Sequence, residues 1–149
     1  MAFFGAPADV PSHAEMACRA ALEMQNALEA LNANWAKDGS KLLSHGIGIS
    51  SGEMFVGNFG SKNIKNFTVM GSNVNLGARL EAYTRVAHWP IIISVRTLEL
   101  AKEFIQVRDL GHIQVKGFTD TVQIYGLESV QDMEAMSLSH QPAQATTSL

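Results

Sequence analysis

A helical repeat of hydrophobic residues occupies the early part of the chain. Between Ser12 and Gly39, apolar residues recur at alternating steps of four and three, the spacing of one buried helix face. This stripe consists of Ala17, Ala21, Met24, Leu28, Leu31 and Trp35. Ser12 and Glu15 form a capping-box pattern at its start, and Asp38-Gly39 suits a helix end. The spacing therefore predicts one amphipathic helix with a structural role.

Short apolar runs and alternations predict strands in the remainder of the chain. They cover residues 1–5, 46–50, 53–56, 67–70 and 91–94, followed by a strand, a turn at 117–120 and a return strand within 106–127. Helices are predicted over 73–87 and 95–102, and a loop over 57–66. Gly46 and Gly48 alternate with Ile47 and Ile49. Glycine within a strand indicates close approach by another backbone or by a ligand.

The residues from 66 to 81 combine a strand, a turn at Gly71-Ser72 and a helix start. Asn75 and Arg79 lie four apart, so both leave one face of the helix, beside the buried stripe. That stripe comprises Leu76, Leu80, Tyr83 and Ala87, and Ser72 is the predicted N-cap. An amide and a guanidinium at a helix start suit a phosphate or another oxygen-rich anion. The alternative is that Asn75 assists capping and Arg79 is a solvated surface charge.

Composition limits the classes of function. The 149 residues suffice for one domain, since 46% are hydrophobic and 17% charged. A net charge of −3 and the lack of a Lys/Arg run argue against a general nucleic-acid binder. Five scattered His and the single Cys18, predicted to be a small core residue, support neither a zinc site nor a disulfide framework. No apolar run spans a bilayer and no signal-peptide pattern opens the chain, which favours a reducing cytoplasmic setting.

Three blocks of sequence carry a family resemblance. They are GNFGS at 57–61, TVMGSNVNLGARLE at 68–81 and LGHIQVKG at 110–117. Over residues 1–127 the chain resembles the catalytic domain of bacterial-type class III adenylate/guanylate cyclases. The resemblance implies an α+β fold, a ferredoxin-like α/β sandwich with a mostly antiparallel sheet and helices on one face. Residues 128–149, rich in Ser, Gln, Ala and Thr, are predicted to form a disordered tail.

The resemblance implies roles for four residues. Asn75 matches the asparagine that orients the ribose, and Arg79 matches the arginine that stabilises charge developing on the phosphates. Thr68 matches a position that helps to read adenine, which favours ATP over GTP. Lys116 matches a lysine near the terminal phosphates, and without the resemblance it is an ordinary edge-strand lysine. The implied reaction converts ATP to 3′,5′-cyclic AMP and pyrophosphate at the interface of a head-to-tail homodimer.

The resemblance also implies Mg²⁺ or Mn²⁺, which two aspartates of the family hold. Those aspartates and the lysine that helps to read adenine are expected upstream of Met1, so the domain is predicted to be incomplete at its N-terminus. The aspartates present do not match the metal motif and are predicted to lie in loops or turns: Asp9, Asp38, Asp109 and Asp120. The expected function is an adenylate cyclase fragment that is inactive alone, from a cytoplasmic or membrane-tethered parent. The alternative is a catalytically inactive cyclase-like module that regulates a partner or dimerises.

Overall fold

The computed structural model describes residues 1–61, 64–115 and 121–131. Within these ranges the chain forms helices and strands in the following order. They are α1 (His13–Lys37), β1 (Ile47–Ile49), β2 (Phe55–Gly60), β3 (Lys65–Met70), α2 (Ser72–Ala87), β4 (Ile91–Ser94), α3 (Val95–Ala101), β5 (Ile105–Gln114) and β6 (Thr121–Val130).

The described strands form two separate sheets. Strands β1, β4, β6 and β5 lie side by side in that order in a four-stranded sheet. In it β1 and β4 are parallel, and the other neighbouring pairs are antiparallel. Strands β2 and β3 form an antiparallel pair, with Phe55 opposite Met70 and Gly60 opposite Lys65. The predicted α+β class and the mostly antiparallel pairing are confirmed.

Helices cover both faces of the four-stranded sheet. Ile91 and Ile93 of β4 pack in a hydrophobic cluster with α1 and α3, whereas Ile92 packs in a second cluster with α2. Successive residues of a strand point to opposite faces, and all four residues of β4 are buried. Such a strand requires packing elements on both faces of the sheet, and here α1 and α3 cover one face and α2 the other. This arrangement differs from the predicted placement of the helices on one face.

Helix α1 has the predicted bounds but a different buried stripe. The buried residues are Ala14, Cys18 and Ala21, whereas Met24 and Leu31 of the predicted stripe are 57% and 39% exposed. The helix has 25 residues and is about 37 Å long. Its buried residues all lie in its first half, which packs on the sheet through small side chains. Ser12 is the N-cap as predicted, but the capping-box hydrogen bond is not formed.

Two short segments differ from their predicted structure. Residues 1–5 form no strand, and the ring centroid of Phe3 instead lies 5.9 Å from that of Phe67 in β3. Residues 57–60, predicted as a loop, belong to β2, and Lys65 and Asn66 belong to β3. Cross-strand pairing satisfies the backbone groups there, although glycine lowers the local preference for a strand.

The predicted β5–β6 unit is present and extends further than expected. Strand β6 continues to Val130, and the backbone N–H of Gln131 donates to the carbonyl oxygen of Phe104 at 2.7 Å. The domain boundary predicted after residue 127 therefore falls within a strand. The predicted turn at 117–120, and residues 132–149 of the predicted tail, lie outside the described residues.

Helix α2 lies directly on the backbone of β1. A Cβ atom on Gly48 would collide with the backbone nitrogen of Glu81 and would lie 2.9 Å from the carbonyl carbon of Leu80. A Cβ atom on Gly46 would lie 3.0 Å from the Cβ atom of Thr84. At Gly48 the predicted close approach is therefore made by another backbone, that of α2, whereas at Gly46 the nearest atoms belong to the Thr84 side chain.

Replacing Gly48 with alanine should destabilise the domain by about 1–3 kcal/mol, because the backbone of α2 must move to admit the methyl group. Urea unfolding followed by circular dichroism measures the change. Gly57→Ala is the matched control, since a Cβ atom there would meet only the ring of Phe59 at 3.8 Å. Equal stability of the two variants would contradict the close helix–strand contact.

Cys18 should be inert to thiol reagents in the folded protein. It is fully buried, and burial, with a smaller effect of the Glu15 charge, raises the pKa of its thiol from 9.0 to about 12. Because the folded state keeps a proton that the unfolded state loses, stability should fall as the pH rises from about 9 to 12. Labelling with a maleimide at pH 8, with and without urea, tests the prediction. Rapid labelling without urea would contradict it.

Candidate functional site

The junction between β3 and α2 leaves the N-terminus of the helix open. Gly71, with a φ of 151°, is the N-cap, so the prediction that Ser72 caps the helix is wrong. Glycine carries no side chain, and no side-chain oxygen accepts a hydrogen bond at this cap. The first turn also contains no acidic residue. The partial positive charge of the helix start is therefore available to an external anion.

Asn75 and Arg79 project from the first two turns of α2. Both are exposed, and their spacing places them on one face about 6 Å apart along the helix axis. Leu76 and Leu80, each one residue further along, are buried in the cluster between α2 and the sheet. The buried leucines fix the rotation of the helix, which turns Asn75 and Arg79 towards solvent.

Arg79 differs from the other arginines of the chain in its surroundings. Each of the others has a side-chain nitrogen 2.8 to 3.1 Å from a glutamate oxygen: Arg19, Arg85, Arg96 and Arg108. Among the described residues, neither Arg79 nor Asn75 has a side-chain hydrogen bond or an ion pair. A guanidinium without an intramolecular partner keeps its fork of N–H donors available to a ligand.

Thr68 approaches the junction from the strand side. It lies half-buried in β3, opposite Gly57 of β2 and three residues before Gly71. In the described part of the chain, no side-chain hydrogen bond joins Thr68 to Asn75 or Arg79. Lys116, the fourth predicted site residue, lies outside the described residues.

The described residues contain no group of three or more His, Cys, Asp or Glu side chains that could hold a metal ion. Asp9 lies in the N-terminal loop and Asp38 is the C-cap of α1. Asp109, predicted to lie in a loop, is part of β5, where Oδ1 accepts hydrogen bonds from the backbone of Gly111 and the amide of Gln123. Since these carboxylates do not form a cluster, the described side chains do not fit a metal centre.

One polar residue at the junction was not identified from the sequence. Asn73, in the first turn of α2, donates from Nδ2 to the carbonyl oxygen of Glu53 at 3.1 Å. Its side chain lies across Gly52, which has a φ of 151°. The sequence offers two signals for this contact: a glycine after β1 and an amide at the start of a helix. Because Glu53 and Asn73 are 20 residues apart, their spacing does not indicate that they touch.

Among the described residues, an open helix N-terminus stands beside an unpartnered guanidinium at a strand–glycine–helix junction, an arrangement that suits an anionic ligand. The family model of the adenylate and guanylate cyclase catalytic domain matches residues 1–129. Adenylate cyclase 1 of Rhizobium meliloti (strain 1021) is 32% identical over 129 residues, which cover 87% of this chain and 19% of that protein.

Two solved structures are similar over most of the chain. The crystal structure of the adenylyl cyclase CyaB from P. aeruginosa has a TM-score of 0.76 and 32% identity, covering 86% of this chain and 66% of that one. The crystal structure of the guanylyl cyclase Cya2 has a TM-score of 0.76 and 36% identity, covering 87% of this chain and 65% of that one.

The chain therefore belongs to the adenylate and guanylate cyclase catalytic domain family. It spans about a fifth of the Rhizobium protein and about two thirds of each of the two solved chains. The cyclase-type sandwich expected from the sequence is confirmed. Among the helices in the described ranges, none is long and apolar enough to cross a membrane.

Replacing Arg79 with alanine should change the free energy of unfolding by no more than about 0.5 kcal/mol, because the side chain is exposed. Leu80→Ala, the adjacent change, should cost about 2–5 kcal/mol, since Leu80 is fully buried. Urea titrations of both variants provide the comparison. A large loss of stability in the Arg79 variant would mean that the guanidinium serves the fold rather than a ligand.

Proposed function

We propose that this chain forms the ribose- and phosphate-binding half of an adenylate cyclase active site, which converts ATP to 3′,5′-cyclic AMP and pyrophosphate. The proposal rests on the surroundings of Arg79. In a family of nucleotide cyclases, it is the arginine without an ion-pair partner among the described residues, and it stands beside Asn75 at an open helix start.

The reaction develops negative charge where these donors are directed. The ribose 3′-oxygen forms a bond to the α-phosphorus, the bond from that phosphorus to the bridging oxygen breaks, pyrophosphate leaves and the 3′-hydroxyl proton is released. Asn75 orients the ribose, and the Arg79 guanidinium stabilises the charge on the phosphates. Donors that are already in place commonly supply the largest catalytic term, because they need no reorganisation during the reaction. Lys116 adds a point charge near the terminal phosphates.

Thr68 supports ATP as the substrate rather than GTP. It matches the position that helps to read adenine in the adenylate cyclases that this chain resembles, and it lies in β3, shortly before the proposed phosphate-binding helix α2. Similarity alone does not separate the two nucleotides, since one solved relative is an adenylyl cyclase and another a guanylyl cyclase. The proposal of ATP therefore depends on Thr68.

The complete site requires groups beyond those described here. Cyclases of this family are metal-dependent, and the described residues do not fit a metal centre. We therefore assign Mg²⁺ or Mn²⁺ to carboxylates of the parent enzyme outside the described residues, and we propose that the parent acts as a head-to-tail homodimer. Consumption of ATP and a single buried cysteine are consistent with a cytoplasmic setting for the enzyme.

A second candidate is a cyclase-like module without catalysis, which binds nucleotide or dimerises to regulate a partner. The lack of a ligand cluster in the described ranges favours this candidate. The exposed Arg79, which has no ion-pair partner among the described residues, argues against a module that only dimerises, because such a module has no use for a free guanidinium.

Complementation separates the two candidates. The chain is mixed with a family subunit that keeps its metal-binding aspartates but lacks its own asparagine and arginine, and cyclic AMP formation is measured with Mg²⁺ or Mn²⁺. The mixture should be active and the chain alone inactive. Arg79→Ala should lower the rate of the mixture on the order of 10²- to 10³-fold, the usual effect of removing one charge-stabilising donor.

Arg85→Ala is the matched control, because Arg85 lies on the same helix and is ion-paired with Glu81 at 3.0 Å. It should leave the rate unchanged. An inactive mixture in which the two chains nevertheless associate would favour the regulatory module. Equal rates for the native chain and the Arg79 variant would contradict the role given to Arg79.

A further inference from the structure

The proposed site is divided between two parts of the fold that share few connections. Thr68 lies on the β2–β3 pair, whereas Asn75 and Arg79 lie on α2. Among the described strands, the β2–β3 pair forms no ladder with the four-stranded sheet. Its orientation relative to α2 therefore depends on the chain segments that join them and on local side-chain contacts.

Asn73 makes one such contact with the β1–β2 turn, residues 50–54. Its Nδ2 atom donates to the carbonyl oxygen of Glu53 at 3.1 Å. The side chain reaches this carbonyl over Gly52, where a Cβ atom would lie 2.7 Å from Cγ and 3.0 Å from Oδ1 of Asn73. The positive φ of 151° at Gly52 also favours glycine. The contact therefore requires both an amide at 73 and a glycine at 52.

The same turn passes alongside the cap of α2. A Cβ atom on Gly71 would lie 3.6 Å from the carbonyl oxygen of Glu53 and 3.7 Å from the Cα atom of Met54. Immediately beyond Met54, β2 begins at Phe55, which pairs with Met70 at the end of β3. The turn thus contacts the start of α2 next to Phe55 and Met70, where β2 begins and β3 ends.

The opposite side of the β1–β2 turn is anchored in the core. Ser51 is 7% exposed, and its Oγ atom lies 3.0 Å from Oγ1 of the fully buried Thr97. Thr97 Oγ1 also lies 3.0 Å from Oγ of Ser94, the N-cap of α3. Satisfied buried hydroxyls resist displacement, because an unpaired one is costly. The turn is thus fixed to the sheet through Ser51 and to α2 through Asn73.

We propose that Asn73 is a positioning residue that fixes the β2–β3 pair relative to α2, so that base recognition at Thr68 is aligned with phosphate binding at Arg79. Asn73 acts through the backbone of Glu53 and touches no reacting atom. The effect on base recognition and phosphate binding rests on the proposed function. The fixed orientation of the β2–β3 pair relative to α2 does not depend on that function.

A distance measurement tests the geometric part. Spin labels are placed through Asn58→Cys in β2 and Arg85→Cys in α2, both exposed positions, while Cys18 is buried and stays unlabelled. Pulsed electron–electron double resonance then gives the distribution of distances. Asn73→Ala and Gly52→Ala should each broaden it. Asn34→Ala, which changes an exposed amide on α1, should not. An unchanged width in the Asn73 variant overturns the proposal.

The complementing mixture tests the consequence. In Asn73→Ala, the ratio of kcat/KM for ATP to that for GTP should fall about fivefold, the equivalent of one net hydrogen bond. A general loss of folded protein would lower both values and leave their ratio unchanged. Thr68→Ala should lower the same ratio, and adding Asn73→Ala to it should lower it no further.

The possible outcomes separate the two proposals. A ratio that falls in the Thr68 variant but not in the Asn73 variant overturns the positioning role. A native ratio in the Thr68 variant, together with a native rate in the Arg79 variant, overturns the proposed function. In that case, a broadened distance distribution in the Asn73 variant still shows that Asn73 fixes the β2–β3 pair relative to α2. The effect of Asn73 on catalysis is then overturned together with the proposed function.

Discussion

The contact between α2 and β1 is the constraint on which the site depends. The absence of a side chain at Gly48 allows the backbone of α2 to lie against the backbone of β1, and its absence at Gly46 leaves room for the Thr84 side chain. With Leu76 and Leu80 buried on the same side, the helix has one rotation in which its apolar stripe is covered. That rotation turns Asn75 and Arg79 to solvent at an uncapped helix start. A core packing requirement thus determines which way the proposed catalytic groups face.

Charge pairing distinguishes the proposed catalytic arginine from the structural ones. Arg19, Arg85 and Arg96 pair with glutamates three or four residues away on their own helices, and Arg108 pairs with Glu128 across two strands. The exposed pairs among them contribute little to stability, but each pair occupies its guanidinium. Among the described residues, Arg79 has no such partner, and its exposed donors suit the charge stabilisation that we propose.

The division of the fold into two sheets gives the β1–β2 turn its importance. The four-stranded sheet and its helices form two hydrophobic clusters, one of which supports α2. The β2–β3 pair lies outside that sheet and carries several exposed apolar side chains, among them Phe55 at 78% and Met70 at 51%. The proposed site requires the β2–β3 pair and α2 to keep a fixed relation. The contacts of the Asn73 side chain with Gly52 and Glu53, and of Gly71 with Glu53, supply that relation at the junction.

Elements with a local signal could be predicted from the amino-acid sequence alone. Periodicity located α2, and the run Ile91–Ser94 located β4, because burial imposes a pattern on consecutive residues. The residues Asn75 and Arg79 were identified by their spacing on one helix face and by the family resemblance. Two packing features became clear only from the three-dimensional structure: the first half of α1 is the buried half, and helices cover both faces of the sheet. The same holds for two features of the junction: Gly71 is the N-cap of α2, and Asn73 contacts Glu53. These features depend on contacts between segments distant in the chain, and a residue's neighbours in sequence do not specify them.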